Sequence, residues 1–381
     1  MARRILLVLL FLVVAGIVAA ALSLRALAKT AEEKRKEVSA ELSKDFEKHR
    51  ARIEADEARW ANDPLLAPRD GGNAAAVFAQ HVGWVPASAG LPAPAAPLST
   101  EVLTLLTNST DGGWPSLRDE AILSADVTWL GALSTAGHWD TDEALTSVPY
   151  DALQEPVPDT SALLAAAKVR LIQGLADGGV VAAGADVREL ARLTLTNESL
   201  LSNMVGIGIL KFERRAHEAA VEAGLDVTGW VPVPEADAAR LKALLWAAPA
   251  MTSVVATDAL AQHVPRVGQC AALREGLGIA QYLRPWLEPE LTERYAALGQ
   301  QLDGSACRLS RLRAAWAGTA KSAQLPVSAR AFCVADPDSD ACALGDAPLP
   351  LATFSRPYVG NTLIAIGTPD WFKPYDELTS P

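Results

Sequence analysis

Along the chain, the first pattern is an uninterrupted apolar run. From Ile5 to Leu24 no charged side chain occurs, and only Gly16 and Ser23 break the hydrophobic series. As a helix this run rises about 30 Å, the thickness of a bilayer's hydrocarbon core. A cleaved signal peptide is the alternative, with Arg3 and Arg4 as its basic start and Ala26-Leu27-Ala28 as a small-x-small cleavage site. The apolar run is longer than such peptides use, and Arg25 stands between it and the cleavage site. An uncleaved membrane anchor over residues 5–24 is therefore the expectation.

The pattern then changes abruptly. From Lys29 to Asn62 the chain is dense in Glu, Lys and Arg, with neither Gly nor Pro to interrupt a helix. Thr30 and Glu33 have capping-box spacing, and Glu32/Lys36, Arg50/Glu54 and Arg52/Asp56 stand four residues apart. Val38, Leu42, Phe46, Ile53 and Trp60 form a sparse apolar stripe along one side. Such a stripe has three fates: weak self-association as a coiled coil, docking on the chain's own body, or solvation as a spacer. A straight spacer would hold the body roughly 50 Å from the bilayer. Asp63-Pro64 ends it.

Residues 64–98 are rich in Ala, Pro and Gly and predict irregular, extended chain around one short helix, Asn73 to Val82. Beyond Ser99 the periodicity is helical almost throughout. Ser99 caps Glu101–Leu106, and Trp114-Pro115-Ser116, supported by Asp119, opens a helix to about Ser134. Leu163, Leu164, Ala167, Leu171 and Leu175 recur at helical spacing and stop at Gly178-Gly179. A second helix runs from Val180 to Leu195, and Asn197 caps a third from Glu198 to Ala223, closed by Gly224. Two helices joined by a tight Gly turn make an αα-hairpin, but nothing recurs at the fixed period of a repeat array. Further helices are expected at Glu235–Ala247, Cys270–Tyr282, Pro289–Leu302 and Ser305–Ser322; Gly229–Val233 and Thr362–Ile366 are short, strand-like runs.

The expected fold is all-α: an N-terminal transmembrane helix and charged helical stalk, then an irregular helical bundle with αα-hairpin, solenoid-like packing. The expected segments are a transmembrane signal anchor (1–24), the stalk (25–63), the Pro/Ala-rich segment (64–98) and a helical globular domain (99–381).

Charge sharpens this division. The chain of 381 residues carries a net −11, yet residues 1–63 balance at +2 and the rest at −13. A body this acidic repels phosphate backbones, which argues against a nucleic-acid partner. Abundant Ala, and Arg in preference to Lys beyond the stalk, fit a GC-rich bacterial genome. Counting Lys and Arg on either side of the anchor favours a cytoplasmic body, because five follow it closely and two precede it. The short basic N-terminus and the cysteines favour export. Cys270, Cys307, Cys333 and Cys342 are an even set confined to residues 270–342, as two disulfides in an oxidising periplasm would be. The expected location is the bacterial inner membrane, single-pass, with the body in the periplasm. The preferred pairing joins Cys333 to Cys342 and Cys270 to Cys307; two other pairings are open.

Candidate chemistry is thin. The five histidines show no metal-ligand spacing; His217-Glu218 begins a zinc-protease pattern that Val221 breaks. His138-Trp139-Asp140 sets a histidine near an acid, though a turn with Asp140 or Thr141 capping the next helix explains it. Gly206-Ile207-Gly208 lies inside a helix and reads as close helix packing. Asp336, Asp338 and Asp340 alternate like the start of a calcium loop, but Ala341 and Ala347 stand where its Gly and final acid belong. They are a weak calcium candidate beside the default of a solvated loop. Trp84, Trp129, Trp246 and Trp316 read as core, and the segment from Arg356 to Phe372 as packed on the body. No catalytic residue and no cofactor is assigned. The expected role is protein binding or scaffolding in the cell envelope; the alternative is an envelope hydrolase acting on cell-wall or peptide substrates.

Overall fold

The computed structural model describes residues 2–67, 69–85, 91, 93–109, 113–145, 156–253, 255–283, 289–322 and 370–378, with the side chains of residues 2–25, 27, 28, 281–283, 289, 290, 292 and 318–322 outside that set. Cys333, Cys342, the calcium candidates Asp336, Asp338 and Asp340, and Thr362–Ile366 lie outside the described residues.

Helices dominate, as an all-α pattern predicts. The first, α1, runs unbroken from Ala2 to Trp60. The transmembrane segment expected at residues 5–24 falls on side chains outside the described set; among the described residues no helix is long and apolar enough to cross a membrane. The charged half of α1 is not a free stalk. Its apolar stripe, Leu42, Phe46, Ile53 and Trp60, is buried in the same core as the body, with Val38 packed at its edge. Docking on its own body is thus the fate the stripe meets. Polar ties reinforce it: Ser39 Oγ donates to Val255 O at 2.7 Å, Arg59 pairs with Asp237, and Arg240 lies 3.6 Å from buried Asp56. Burial raises the Asp56 carboxyl, and the Arg240 cation opposes it.

Among the described residues, four short strands form two minimal pairs. Strand β1 (Gly72–Asn73) runs parallel to β3 (Ala136–His138), and β2 (Trp84–Val85) antiparallel to β4 (Val157–Pro158). Between them lie α2 (Ala75–His81) and α3 (Thr100–Asn108), the latter capped by Ser99 as its sequence predicts.

The single helix expected from Trp114 to Ser134 is instead a broken path. A 3-10 turn at Trp114–Ser116 leads to α4 (Glu120–Leu123), α5 (Trp129–Ala132) and a second 3-10 turn. Tertiary contacts explain the break. Gln173 Nε2 donates to the carbonyls of Ile122, Leu123 and Ala125, which a continuing helix would have used itself. Asp126 then turns the chain through Thr128.

After α6 (Thr141–Ala144) comes the central layer: α7 (Thr160–Asp177), α8 (Val180–Leu195) and α9 (Leu200–Glu222). Asp159 caps α7, and Gly178 closes it at φ 79°, the left-handed conformation glycine takes without strain. α8 meets α9 closely because Gly206 carries no side chain; a Cβ there would sit 2.6 Å from Leu195. That confirms the packing role read for Gly206, whereas Gly208 has only an ordinary contact with Leu164. Glu213, fully buried in α9, pairs with Arg188 of α8 and accepts from Trp230 Nε1 at 2.8 Å.

The outer helices are α10 (Glu235–Thr252), α11 (Asp258–Ala261), α12 (Gln269–Leu283), α13 (Pro289–Gly304) and α14 (Ser310–Ser322). α14 starts five residues later than the expected Ser305. The chain closes with α15 (Lys373–Glu377), where Trp371, Phe372 and Tyr375 are buried, so that end of the C-terminal segment packs on the body. Gly229–Val233 is loop, not strand. The tryptophans read as core are only partly so. Trp129 is buried, but Trp84, Trp246 and Trp316 are half-buried, while Trp60, Trp114 and Trp139 lie deepest.

Candidate functional site

Where α1 ends, the chain leaves a cleft of about 400 Å³. Its walls come from the end of α1, strand β3, the α8–α9 turn, the start of α12 and the loop before α14.

Each wall is set by a long-range polar tie. Glu57, in the last turns of α1, accepts from the backbone N–H groups of Arg266 at 2.8 Å and Val267 at 3.3 Å, which orients the entry into α12. Arg192 of α8 is almost wholly buried and donates to Gly137 O at 3.0 Å, fixing the strand that carries His138. Asn203 donates its amide to Thr194 O, Leu195 O and Asn197 O, satisfying carbonyls that the end of α8 leaves open. Asn197 was expected to cap α9. Its side chain instead donates to Trp139 O at 3.0 Å, and Ser199 takes the cap position without a capping bond.

These ties leave two amide oxygens, Asn197 Oδ1 and Asn203 Oδ1, buried with no hydrogen-bond partner.

Glu198 is the most perturbed group of the site. Both carboxylate oxygens accept from the backbone N–H of Arg308 at 2.7 Å. Burial still raises its pKa to about 7, against the N–H bond and the Arg308 cation. His138 is shifted the other way, lowered by burial and then by the Arg308 charge. Arg266 and Arg308 are exposed, and their guanidinium groups make no hydrogen bond or ion pair among the described residues. Asp140 caps α6, one of the two readings given for it, and burial raises its carboxyl.

The Cys270–Cys307 disulfide, with Cα atoms 5.4 Å apart, ties α12 to the loop before α14, as the preferred pairing expects. Cys270 also lines the cleft.

The remaining histidines are engaged elsewhere. His49 contacts Asp376 at 3.0 Å, His81 stacks on Trp129, His217 meets Trp230 edge-on, and His263 packs on Phe46. Sequence reasoning missed Glu198, Asn203, Arg266 and Arg308 as site residues. They lie in different segments, and the nearest local signal is the polar Thr196-Asn197-Glu198 turn after an apolar helix.

No protein-family model matches this chain, and neither a curated protein nor a solved structure matches it at a significant level.

Proposed function

We propose that this chain is a single-pass protein of the bacterial inner membrane, anchored by residues 5–24, whose helical body binds a protein partner in the periplasm. The observation that carries the binding role is the pair of exposed arginines on the cleft, Arg266 and Arg308. Arg266 and Arg308 are exposed on the cleft, and among the described residues their guanidinium groups have no hydrogen-bond or ion-pair partner. Such a surface is complementary to a partner segment that presents an acidic group. The anchor and the cleft are one mechanical unit, because the helix that follows the apolar run ends at the cleft wall. The Cys270–Cys307 bond and the sequence pattern support the periplasmic location.

A second reading, an envelope hydrolase, draws on one observation. Glu198, whose carboxyl burial pushes up to about 7, lines the same cleft as His138, and a carboxyl near neutrality suits general acid–base work.

Two measurements test the first reading. A reporter active only in the periplasm, fused after Pro381, is active, and deleting residues 5–24 releases the chain from the membrane fraction. A photo-crosslinker at Asn62, on the cleft wall, gives a discrete adduct in cells that Arg308→Ala removes. A silent reporter contradicts the location, and an adduct indifferent to Arg308→Ala contradicts the cleft.

A further inference from the structure

We infer that the cleft captures a carboxylate on Arg266 and Arg308, and that Glu198 takes up a proton as it does so. The inference rests on the cleft being the binding surface and adds how that binding is regulated.

The geometry makes Glu198 the group that can yield its charge. It is half-buried on the cleft wall. An ionised carboxylate offers about four acceptor positions. Among the described residues a single backbone N–H, that of Arg308 at 2.7 Å, serves both oxygens of Glu198. The guanidinium of the same arginine does not fold back onto the carboxylate and stays open on the cleft. The carboxyl therefore has oxygen positions open to a proton, while the cation beside it is open to a ligand.

The surrounding charges come from four elements. Burial raises the Glu198 carboxyl, and the Arg308 N–H and cation lower it. Asp140, at the cap of α6, raises it, and Arg274 of α12 lowers it. Arg274 also lies 3.5 Å from Asp142. On β3, His138 is lowered from its ordinary value by burial and Arg308, with Asp140 and Glu143 opposing. Glu57 of α1 is held by the backbone of Arg266, and Glu275 of α12 accepts from the N–H of Leu200.

A ligand carboxylate on Arg308 acts twice on Glu198. It engages the cation that opposes the effect of burial, and it adds a second negative charge to the same cleft. Both favour the neutral carboxyl. The balance is one carboxylate bound and one proton taken from solution onto Glu198, so the net charge of the cleft is unchanged. Below about 7 Glu198 already holds its proton, and binding is at full strength. As pH rises through that value the proton must be recruited, and affinity falls.

The probe is the blocked dipeptide N-acetyl-Glu-Glu-amide, whose carboxyls, with an ordinary value of about 4.3, stay ionised throughout. It is titrated calorimetrically into the purified full chain in detergent, disulfide intact, at about pH 7 and about pH 8.5; His138, lowered, is largely neutral at both. Affinity is expected to be at least about fourfold weaker at the higher pH. Runs in buffers of different ionisation heat should show uptake of a fraction of a proton, up to one, per peptide bound. Glu198→Gln removes the pH dependence and the uptake while helical circular dichroism is kept, and Asp140→Asn retains both. Equal affinity at the two pH values, or a pH dependence that survives Glu198→Gln, overturns the proton coupling and leaves the acidic-partner reading in place. Absence of binding at either pH, or equal binding of N-acetyl-Gln-Gln-amide, overturns the carboxylate capture itself. If Glu198→Gln does not fold, proton uptake by Asp140→Asn decides: none overturns the coupling.

Discussion

The α7–α9 layer and the walls of the cleft are both made of helices, yet they are held together differently. In the layer, contacts are mainly apolar and between neighbours in sequence: Leu163, Ile172, Val187, Leu190, Ile209 and Leu210 are all fully buried. Gly206 lets two backbones close up there. In the cleft, the ties are polar and reach across the chain, from Glu57 to Arg266, Arg192 to Gly137 and Glu198 to Arg308. The first kind of contact builds a stable scaffold. The second holds open a cleft with polar and charged groups on its walls.

The layer breaks most sharply at its buried carboxylate, Glu213. Glu213→Ala strips partners from Arg188 and Trp230 at once, and chemical denaturation is expected to show a loss of about 3–4 kcal/mol. Next comes the seam between α1 and the body. Phe46, 2 % exposed, packs near His263 and Phe372, so Phe46→Ala costs about 3 kcal/mol. A free stalk would give a cost near zero in the same experiment.

At the cleft the expected effects are smaller. Replacing Cys270 and Cys307 with Ser lowers stability by about 2–3 kcal/mol through loss of the cross-link, measured against the oxidised chain. Glu198 gives a pH signature in the oxidised protein. Its carboxyl titrates near 7 when folded, above the ordinary value of about 4.3, so the folded chain holds an extra proton between those limits. Wild-type stability therefore falls as pH rises through that window, and the penalty is complete above about 7. Glu198→Gln lacks this term. Melting at about pH 5 and about pH 8 should show the variant gaining up to about 2 kcal/mol on the wild type, after a discount for partial exposure. Arg308→Ala, on the exposed rim, is expected to move stability by less than about 0.5 kcal/mol while weakening the cleft's adduct.

The same contrast explains what the sequence makes legible. The limits of α7 and α8 follow from apolar spacing and the Gly178-Gly179 stop, because their partners are close in sequence. The start of α9 does not, since Asn197 has the chemistry of a cap but is drawn to Trp139 O by the fold. The stretch from Trp114 to Ser134 reads as one helix, yet Gln173 takes its carbonyls from another element. The stripe on α1 is visible, but which of its three fates applies depends on α10, α15 and the chain before α12. Glu198 carries no local mark, because its carboxyl is raised by burial that only the assembled fold provides, against the opposing pull of Arg308, 110 residues away.

The docking of α1 on the body is tested most directly by hydrogen exchange of the full chain in lipid nanodiscs. Backbone amides from Ser39 to Trp60 are predicted to exchange as slowly as those of α7–α9, because both belong to one core. Exchange of that stretch at the rate of an isolated, solvated helix, with α7–α9 still protected, would contradict the account.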